Sequence, residues 1–303
     1  MTRAGRLAWC GVVLLASPAA AQAPPSPAPP PYSLPWLLRP ATATSVIRLD
    51  TTVALYEDPR TGAAGRTLVE SVIASRRASA RWAPLVRVSW IRNAAPRGAG
   101  EASGTAFSNP LLGTSYVRPL PRGWRLSLFG ATTLPVGAGG GGRPRAGAAA
   151  AAARAIPARS AMDNALFAVN YWTLIGGAGL ARVTPGLTLQ AEATVLQLTR
   201  VRGPRTQDGR RTNLTVGLHA GRFLTSRLSL GAELRVQRWM TEAAPVRASA
   251  AARETLTAAI GPRLHLRAGR RVVRPGLSYT RALDDPLAGQ GYDMIQLDVP
   301  IAF

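Results

Sequence analysis

The side chains best suited to chemistry in this sequence are two histidines, His219 and His265. A histidine acts as a general base only with a hydroxyl nucleophile or an orienting acid in reach. His219 is followed by Ala220 and Gly221, and His265 by Leu266 and Arg267, so neither has a hydroxyl two residues on along the same strand face. A metal site is not expected either. Two histidines and one cysteine, Cys10, show no ligand spacing. The pair Asp284-Asp285 fits a solvated turn, since calcium wants six or more oxygen ligands. The glycine run at residues 139–142 is followed by Arg143 and Pro144, not by Lys-Ser/Thr, and so is no phosphate cradle. No catalytic residue, metal or cofactor is therefore expected, and an enzyme is the last of three readings.

Charge excludes less than it first suggests. The chain of 303 residues carries a formal net charge of +22, and every one of its 37 basic residues is Arg. These arginines are scattered along the chain, not clustered on one element, so nucleic acid is not an expected partner. The first residues have the layout of a secretory signal. Arg3 and Arg6 lead, residues 7–15 are apolar, and Ala19-Ala20-Ala21 supplies small residues for a cut after Ala21, with Ala23 as second choice. Cys10 lies inside that leader behind Trp9, so lipidation is not expected. Residues 22–44 are Pro-rich and read as a periplasmic N-terminal segment in which "PWLLRP" (residues 35–40) is a docking segment or a tether.

What must position any functional side chain is a set of strands. From Ser45 onward the apolar residues recur at every second position. Ile47, Leu49, Val53 and Leu55 share one face with Thr51. Leu228, Leu230, Ala232, Leu234 and Val236 share another, and the C-terminal "IQLDVPIAF" puts Ile295, Leu297, Val299, Ile301 and Phe303 on one side. A period of two is a strand with one face against an apolar medium. No run of 18 apolar residues follows the leader, so the 47% hydrophobic content is spread through strands, not packed into a spanning helix.

The connections alternate in length. Short ones fall near residues 77–83, 119–123, 185–186, 225–226 and 268–270. Long ones fall at residues 58–66, 93–104, 136–163, 202–211, 241–253 and 284–291. An even number of strands of about ten residues, with short turns at one end and long loops at the other, is the pattern of an all-β, transmembrane up-and-down antiparallel β-barrel. The expected count is about 12 strands over residues 45–303, or 10 or 14 if the ragged stretches at residues 67–77 and 164–183 hide or add a pair. Both termini then fall on the short-turn side. Trp82, Trp124 and Phe303 are expected at one membrane rim, and Tyr56, Trp90, Trp239 and Tyr279 at the other. A soluble sandwich fits less well, because its strands are shorter and its inner faces meet a second sheet.

The last strand, "YDMIQLDVPIAF", resembles the closing strand of bacterial outer-membrane barrels. That resemblance implies recognition of the strand ending at Phe303 by the barrel-assembly machinery, and a location in the outer membrane of a Gram-negative cell. Residues 109–137, "NPLLGTSYVRPLPRGWRLSLFGATTLPVG", are similar to a hairpin of the transporter barrels of the MetA pathway of phenol degradation. Neither resemblance supplies a site residue.

Alternation assigns a lumen lining of Arg48, Asp50, Arg87, Arg125, Glu192, His219, Glu233, Arg235, Arg263, His265, Arg274 and Asp298. Cations outnumber carboxylates, so one expectation is a pore for small polar or anionic solutes. The other is that these charges pair with one another and fill the lumen. The longest loop, residues 136–163, either folds into the mouth and sets Arg143, Arg145, Arg154 or Arg159 at a constriction, or lies disordered on the surface, facing lipopolysaccharide phosphates. The Ala run at residues 148–153 fits a short helix. Together these features favour an outer-membrane, porin-like channel in contact with lipid and lipopolysaccharide, then a non-conducting structural or surface-binding barrel, then a lipid-modifying enzyme.

Overall fold

The computed structural model describes residues 32–204 and 208–303, so the leader and its cleavage site lie outside the described residues. The strands are β1 (Val46–Glu57), β2 (Ala64–Ser75), β3 (Trp82–Ala94), β4 (Gly104–Phe107), β5 (Leu111–Pro119), β6 (Trp124–Thr133), β7 (Tyr171–Thr184) and β8 (Leu187–Arg200). They continue as β9 (Arg210–Phe223), β10 (Leu228–Trp239), β11 (Glu254–Leu264), β12 (Leu266–Ala268), β13 (Arg271–Val273), β14 (Gly276–Ala282) and β15 (Asp293–Ala302). Each long strand pairs antiparallel with its neighbour in sequence, and β1 pairs with β15 from Val46↔Ala302 to Leu55↔Asp293. Among the described residues this is a closed barrel of 12 staves. Closure leaves no sheet edge, which hydrocarbon would penalise by several kcal/mol per unpaired backbone group.

Alternation sets the two faces. Leu49, Leu128, Leu189, Leu218, Ile260 and Leu297 each remain 45–52% exposed, while Asp50, Ser127, Gln190, His219, Thr257 and Asp298 turn inward and are buried. An exposed belt this uniform is a lipid-facing surface. Glu70 explains the ragged pattern at residues 67–77. It is exposed on the outer face of β2, opposite Thr51 and Trp90. Trp82, Trp124 and Phe303 sit at the short-turn rim, with Trp82 packed on Tyr116 at 5.0 Å. Trp90 and Tyr279 are exposed towards the other rim. Tyr56 and Trp239 are not girdle residues. Both point into the barrel and are buried, Tyr56 stacked on Tyr292 at 5.0 Å.

β4 and β5 form one broken stave. β3 pairs with β4 along residues 90–93 and with β5 along residues 82–87. At the break Asn109 turns its backbone N–H to the Leu166 carbonyl (2.8 Å) and its side-chain amide to the carbonyls of Ala168 (3.0 Å) and Tyr171 (3.2 Å). The wall thereby grips a loop that has entered the lumen. Pro300 also falls at a gap. The β14–β15 ladder stops at Gly276↔Asp298, and pairing resumes through β13 at Val273↔Ile301. The Pro300 carbonyl still accepts the Arg274 N–H at 3.0 Å. A proline costs least where the ladder is already interrupted.

Gly261 lies at the tightest seam, where β11 meets β14. A Cβ there would collide with the Leu277 carbonyl oxygen and stand 2.6 Å from the Ser278 Cα. Gly261→Val is expected to destabilise the folded barrel by about 1–3 kcal/mol through overpacking. The urea midpoint of the detergent-folded protein measures this, and an unchanged midpoint would mean the seam yields freely.

Candidate functional site

The lumen is filled from both ends by the chain itself. From the short-turn end comes the segment at residues 32–44, which is not an outlying tether. Tyr32, Leu34, Trp36, Leu38 and Ala41 are all buried inside the barrel. An extended, proline-interrupted segment cannot satisfy its own backbone, so wall side chains do so. Glu233 accepts the N–H groups of Trp36 and Leu37, and Glu192 accepts the N–H of Arg39 at 2.9 Å. The Arg39 guanidinium turns back to Glu192 and to Thr194 (2.7 Å). Gln190 donates to the Arg39 carbonyl (2.7 Å) and accepts from the Tyr32 hydroxyl (2.6 Å). Trp36 lies under the Arg263 guanidinium at 4.2 Å, and Gly276 leaves room for its ring.

From the loop end comes residues 136–169, an ordered insert and not a disordered surface loop. It carries α1 (Ala146–Ala158) and a helical turn, α2 (Asn164–Phe167). The alanine run becomes α1, whose buried face is Ala151, Ala152, Ala155 and Ala158. Small side chains let the helix approach β4 so closely that a Cβ on Gly104 would stand 2.7 Å from the Gly147 Cα. Of the four arginines expected at a constriction, Arg154 and Arg159 enter the barrel, while Arg143 and Arg145 stay exposed on the surface. Neither inserted arginine is a bare cation. Arg154 pairs with Glu101 (2.6 Å) and reaches the Tyr292 hydroxyl (3.2 Å). Arg159 pairs bidentately with Asp50 (2.6 and 2.9 Å) and donates to Asp163 (3.1 Å), whose carboxylate also takes the fork of Arg87 (2.8 and 2.9 Å).

The two inserts meet on shared wall residues. Asp298 sits between Arg48 and Arg263, each at 2.6 Å. Arg48 also donates to the Trp36 carbonyl. Gln296 bridges that carbonyl (3.4 Å) and Asp50 (2.8 Å), and Arg235 bridges Glu233 (2.8 Å) and Ser160 (3.3 Å). Arg125 reaches the Ala41 carbonyl at 3.5 Å, and the Arg274 carbonyl accepts from Arg263 at 2.7 Å. The residues that alternation placed in the lumen lining thus mostly contact one another or an insert. Alternation also puts Gln190, Thr194 and Gln296 on the inward face, but not their bonds to the N-terminal segment, because periodicity reports a face and not a distant partner.

Burial alone would raise the Asp163 carboxyl, but the guanidinium groups of Arg87 and Arg159 outweigh it and hold it well below the usual carboxylate range. A depressed folded-state pKa contributes stability above the unfolded value of about 3.9 and loses it only as pH falls through the folded value. Backbone amide exchange of residues 159–167, corrected for intrinsic rate, is therefore expected to be flat from about pH 7 to 4.5 in the native chain. Faster exchange on acidification within that window would contradict this clamp.

The histidines form no triad among the described residues. His219 is buried with Nδ1 3.6 Å from Glu233. His265 Nε2 lies 2.8 Å from Ser229 Oγ, a pair across two strands that linear spacing hides. Ser229 is wholly buried. Burial, then the charges of Arg274 and Arg263, push His265 down to about 4, a poor base for a hydroxyl. Asp284 accepts the N–H of Leu256 in β11 (2.6 Å), and Asp285 that of Gly289 in its own loop (2.9 Å).

Two cavities flank the α2 turn. One of about 620 Å³ lies between α1 and the loop ends of β7–β11. The other, about 130 Å³, lies between residues 37–44 and the wall. Asn164 and Phe167 line the first, and Asp163 and Leu166 line the second.

An outer membrane channel from Pseudomonas putida F1 superposes with a TM-score of 0.55 over 88% of this chain and 98% of that chain, at 9% identity. A KdgM porin in complex with disordered oligogalacturonate and a NanC porin each give a TM-score of 0.48 over 84% of this chain, covering 99% and 98% of theirs, at 9% identity. No protein-family model matches the chain, and no curated protein is similar to it in sequence. At this identity the likeness is one of fold.

Asp298→Leu would leave Arg48 and Arg263 buried without their shared acceptor. The expected loss is about 3–5 kcal/mol of folding stability, read from the urea midpoint. Replacing both arginines by Met in the same chain should restore most of it; no recovery would mean that Asp298 acts through some other contact.

Proposed function

We propose that this protein is a channel of the bacterial outer membrane for small polar or anionic solutes, held shut by two segments of its own chain. The observation that carries this reading is the way the lumen is filled. Wall side chains do not close it by meeting across the axis. Two inserts do, each bound through hydrogen bonds and ion pairs that water could replace, with a cavity on either side of the α2 turn. A purely structural barrel has no need of such removable packing. The short-turn end, with both termini, faces the periplasm in this reading, and the long loops face outward, where Arg143 and Arg145 meet lipopolysaccharide phosphates. The strand ending at Phe303 is the segment offered to the assembly machinery. The local similarity of residues 109–137 to MetA-pathway transporter barrels agrees with transport and adds no substrate.

With the inserts displaced, eight inward wall arginines (Arg48, Arg87, Arg125, Arg200, Arg211, Arg235, Arg263 and Arg274) face four wall carboxylates (Asp50, Glu192, Glu233 and Asp298). The excess of positive charge favours anions. The test is planar-bilayer recording of the refolded chain beside a variant lacking residues 32–44 and one lacking residues 139–153. The full chain is expected to open rarely and each deletion to raise open probability, with an anion-favouring reversal potential. Silence in all three would instead make this a non-conducting barrel. Cation selectivity would contradict the arginine-rich wall.

A further inference from the structure

The larger cavity has a composition that its position in a closed channel does not require. Its floor and walls are apolar or aromatic, among them Ile156, Phe167, Leu198 and Trp239. Set into that surface is Arg211, whose guanidinium lies 4.0 Å from the Tyr171 ring and 5.3 Å from the Trp239 ring. The other inward arginines here have acids or carbonyls to bind. Arg154 is tied to Glu101, and Arg200 donates to the carbonyls of Asp208 and Arg202. Arg211 is in no salt bridge among the described residues, Asp208 acting on it only from farther off, and its buried Nε has no hydrogen bond. The carboxylate of the lining, Asp208, is already held by Arg247 and by the Ala244 N–H. Asn164 lines the same cavity. It is 1% exposed, and neither its Nδ2 nor its Oδ1 has a partner. Buried polar atoms left unsatisfied at a cavity wall call for a partner that the chain does not supply.

We infer that this cavity binds a small monocarboxylate with an apolar body, its carboxylate on Arg211 and the Asn164 amide and its hydrocarbon against Phe167, Leu198 and Trp239. This rests on the channel reading only for its role: the site would be where a solute pauses before the α2 turn. Several features select that class. A planar guanidinium fork outside any salt bridge matches a carboxylate. The aromatic faces that hold the cation also shed water from an apolar body. A volume of about 620 Å³ suits a small organic molecule and not an oligomer. An inorganic anion would use the guanidinium but would leave the apolar lining wet.

The test is calorimetric titration of the full detergent-folded barrel with cyclohexanecarboxylate, with its neutral carboxamide, and with chloride or phosphate. One saturable site is expected for the carboxylate, with the carboxamide at least about tenfold weaker, since a charge-assisted pair is lost. Arg211→Gln should weaken the carboxylate by a similar factor, and Arg211→Lys should recover part of it. Asn164→Leu is a second variant, independent of the cation–aromatic stack, and should also weaken binding. Equal affinity for acid and amide, or no change in either variant that keeps the folded, heat-modifiable form, overturns the inference. So does binding of phosphate as tightly as the carboxylate. Binding without conductance would spare this site and remove the channel reading. Conductance without binding would do the reverse.

Discussion

Everything in this molecule follows from backbone hydrogen bonding in a medium without water. The outer belt of Leu, Ile and Val is stable only against hydrocarbon, and hydrocarbon tolerates a strand only when both of its edges are paired. Twelve staves closing through β1 and β15 meet that demand, but closure creates a second problem. A barrel of this size encloses more space than its own inward side chains fill. The same constraint then acts inside. Whatever enters the lumen as irregular chain brings unpaired N–H groups that need acceptors. Glu192 and Glu233 supply those acceptors to residues 36–39, and Asn109 Oδ1 does so for the Gly137 N–H of the loop that carries α2. The wall carboxylates are thus less a selectivity ring than a set of surrogate strand partners.

That view accounts for the charge pattern. Buried ion pairs seldom add net stability, since desolvation offsets attraction, but removing one member is costly. A network such as Arg48–Asp298–Arg263 or Asp50–Arg159–Asp163–Arg87 therefore defines one arrangement of the inserts without binding them as tightly as an apolar core would. An apolar core does form at the loop end, around Phe167, Leu166 and Leu198, and it explains why the inward positions of β7 and β8 there carry the apolar Ile175 and Leu196 where the wall elsewhere is polar.

The wall was legible in the sequence and the stoppers were not. Alternation is a local property: Leu49 and Asp50 differ in polarity because they point to opposite faces, and two adjacent residues suffice to reveal it. The same logic assigned Arg48, Glu233 and Asp298 to the inside. It failed at Tyr56 and Trp239, which are aromatic near a rim but lie on the inward parity, because an aromatic there reads equally as girdle or as lining. The position of residues 32–44 depends on contacts 150 to 260 residues away in the chain, such as Arg39 with Glu192 and Trp36 with Gln296. No periodicity reports these. The Ser229–His265 pair was hidden for the same reason.

The Glu233–Arg235 pair touches both inserts, and Gln296 links the Trp36 carbonyl to Asp50, the wall partner of Arg159. Lifting the N-terminal segment strips Gln296 and Glu233 of a partner and leaves Arg235 freer to abandon Ser160, and lifting the loop does the converse. By linkage the two movements share one coupling free energy, identical in both directions. A pull on residues 32–44 at one end of the barrel would thereby be felt, through Gln296, Asp50, Glu233 and Arg235, by the loop that enters at the other end.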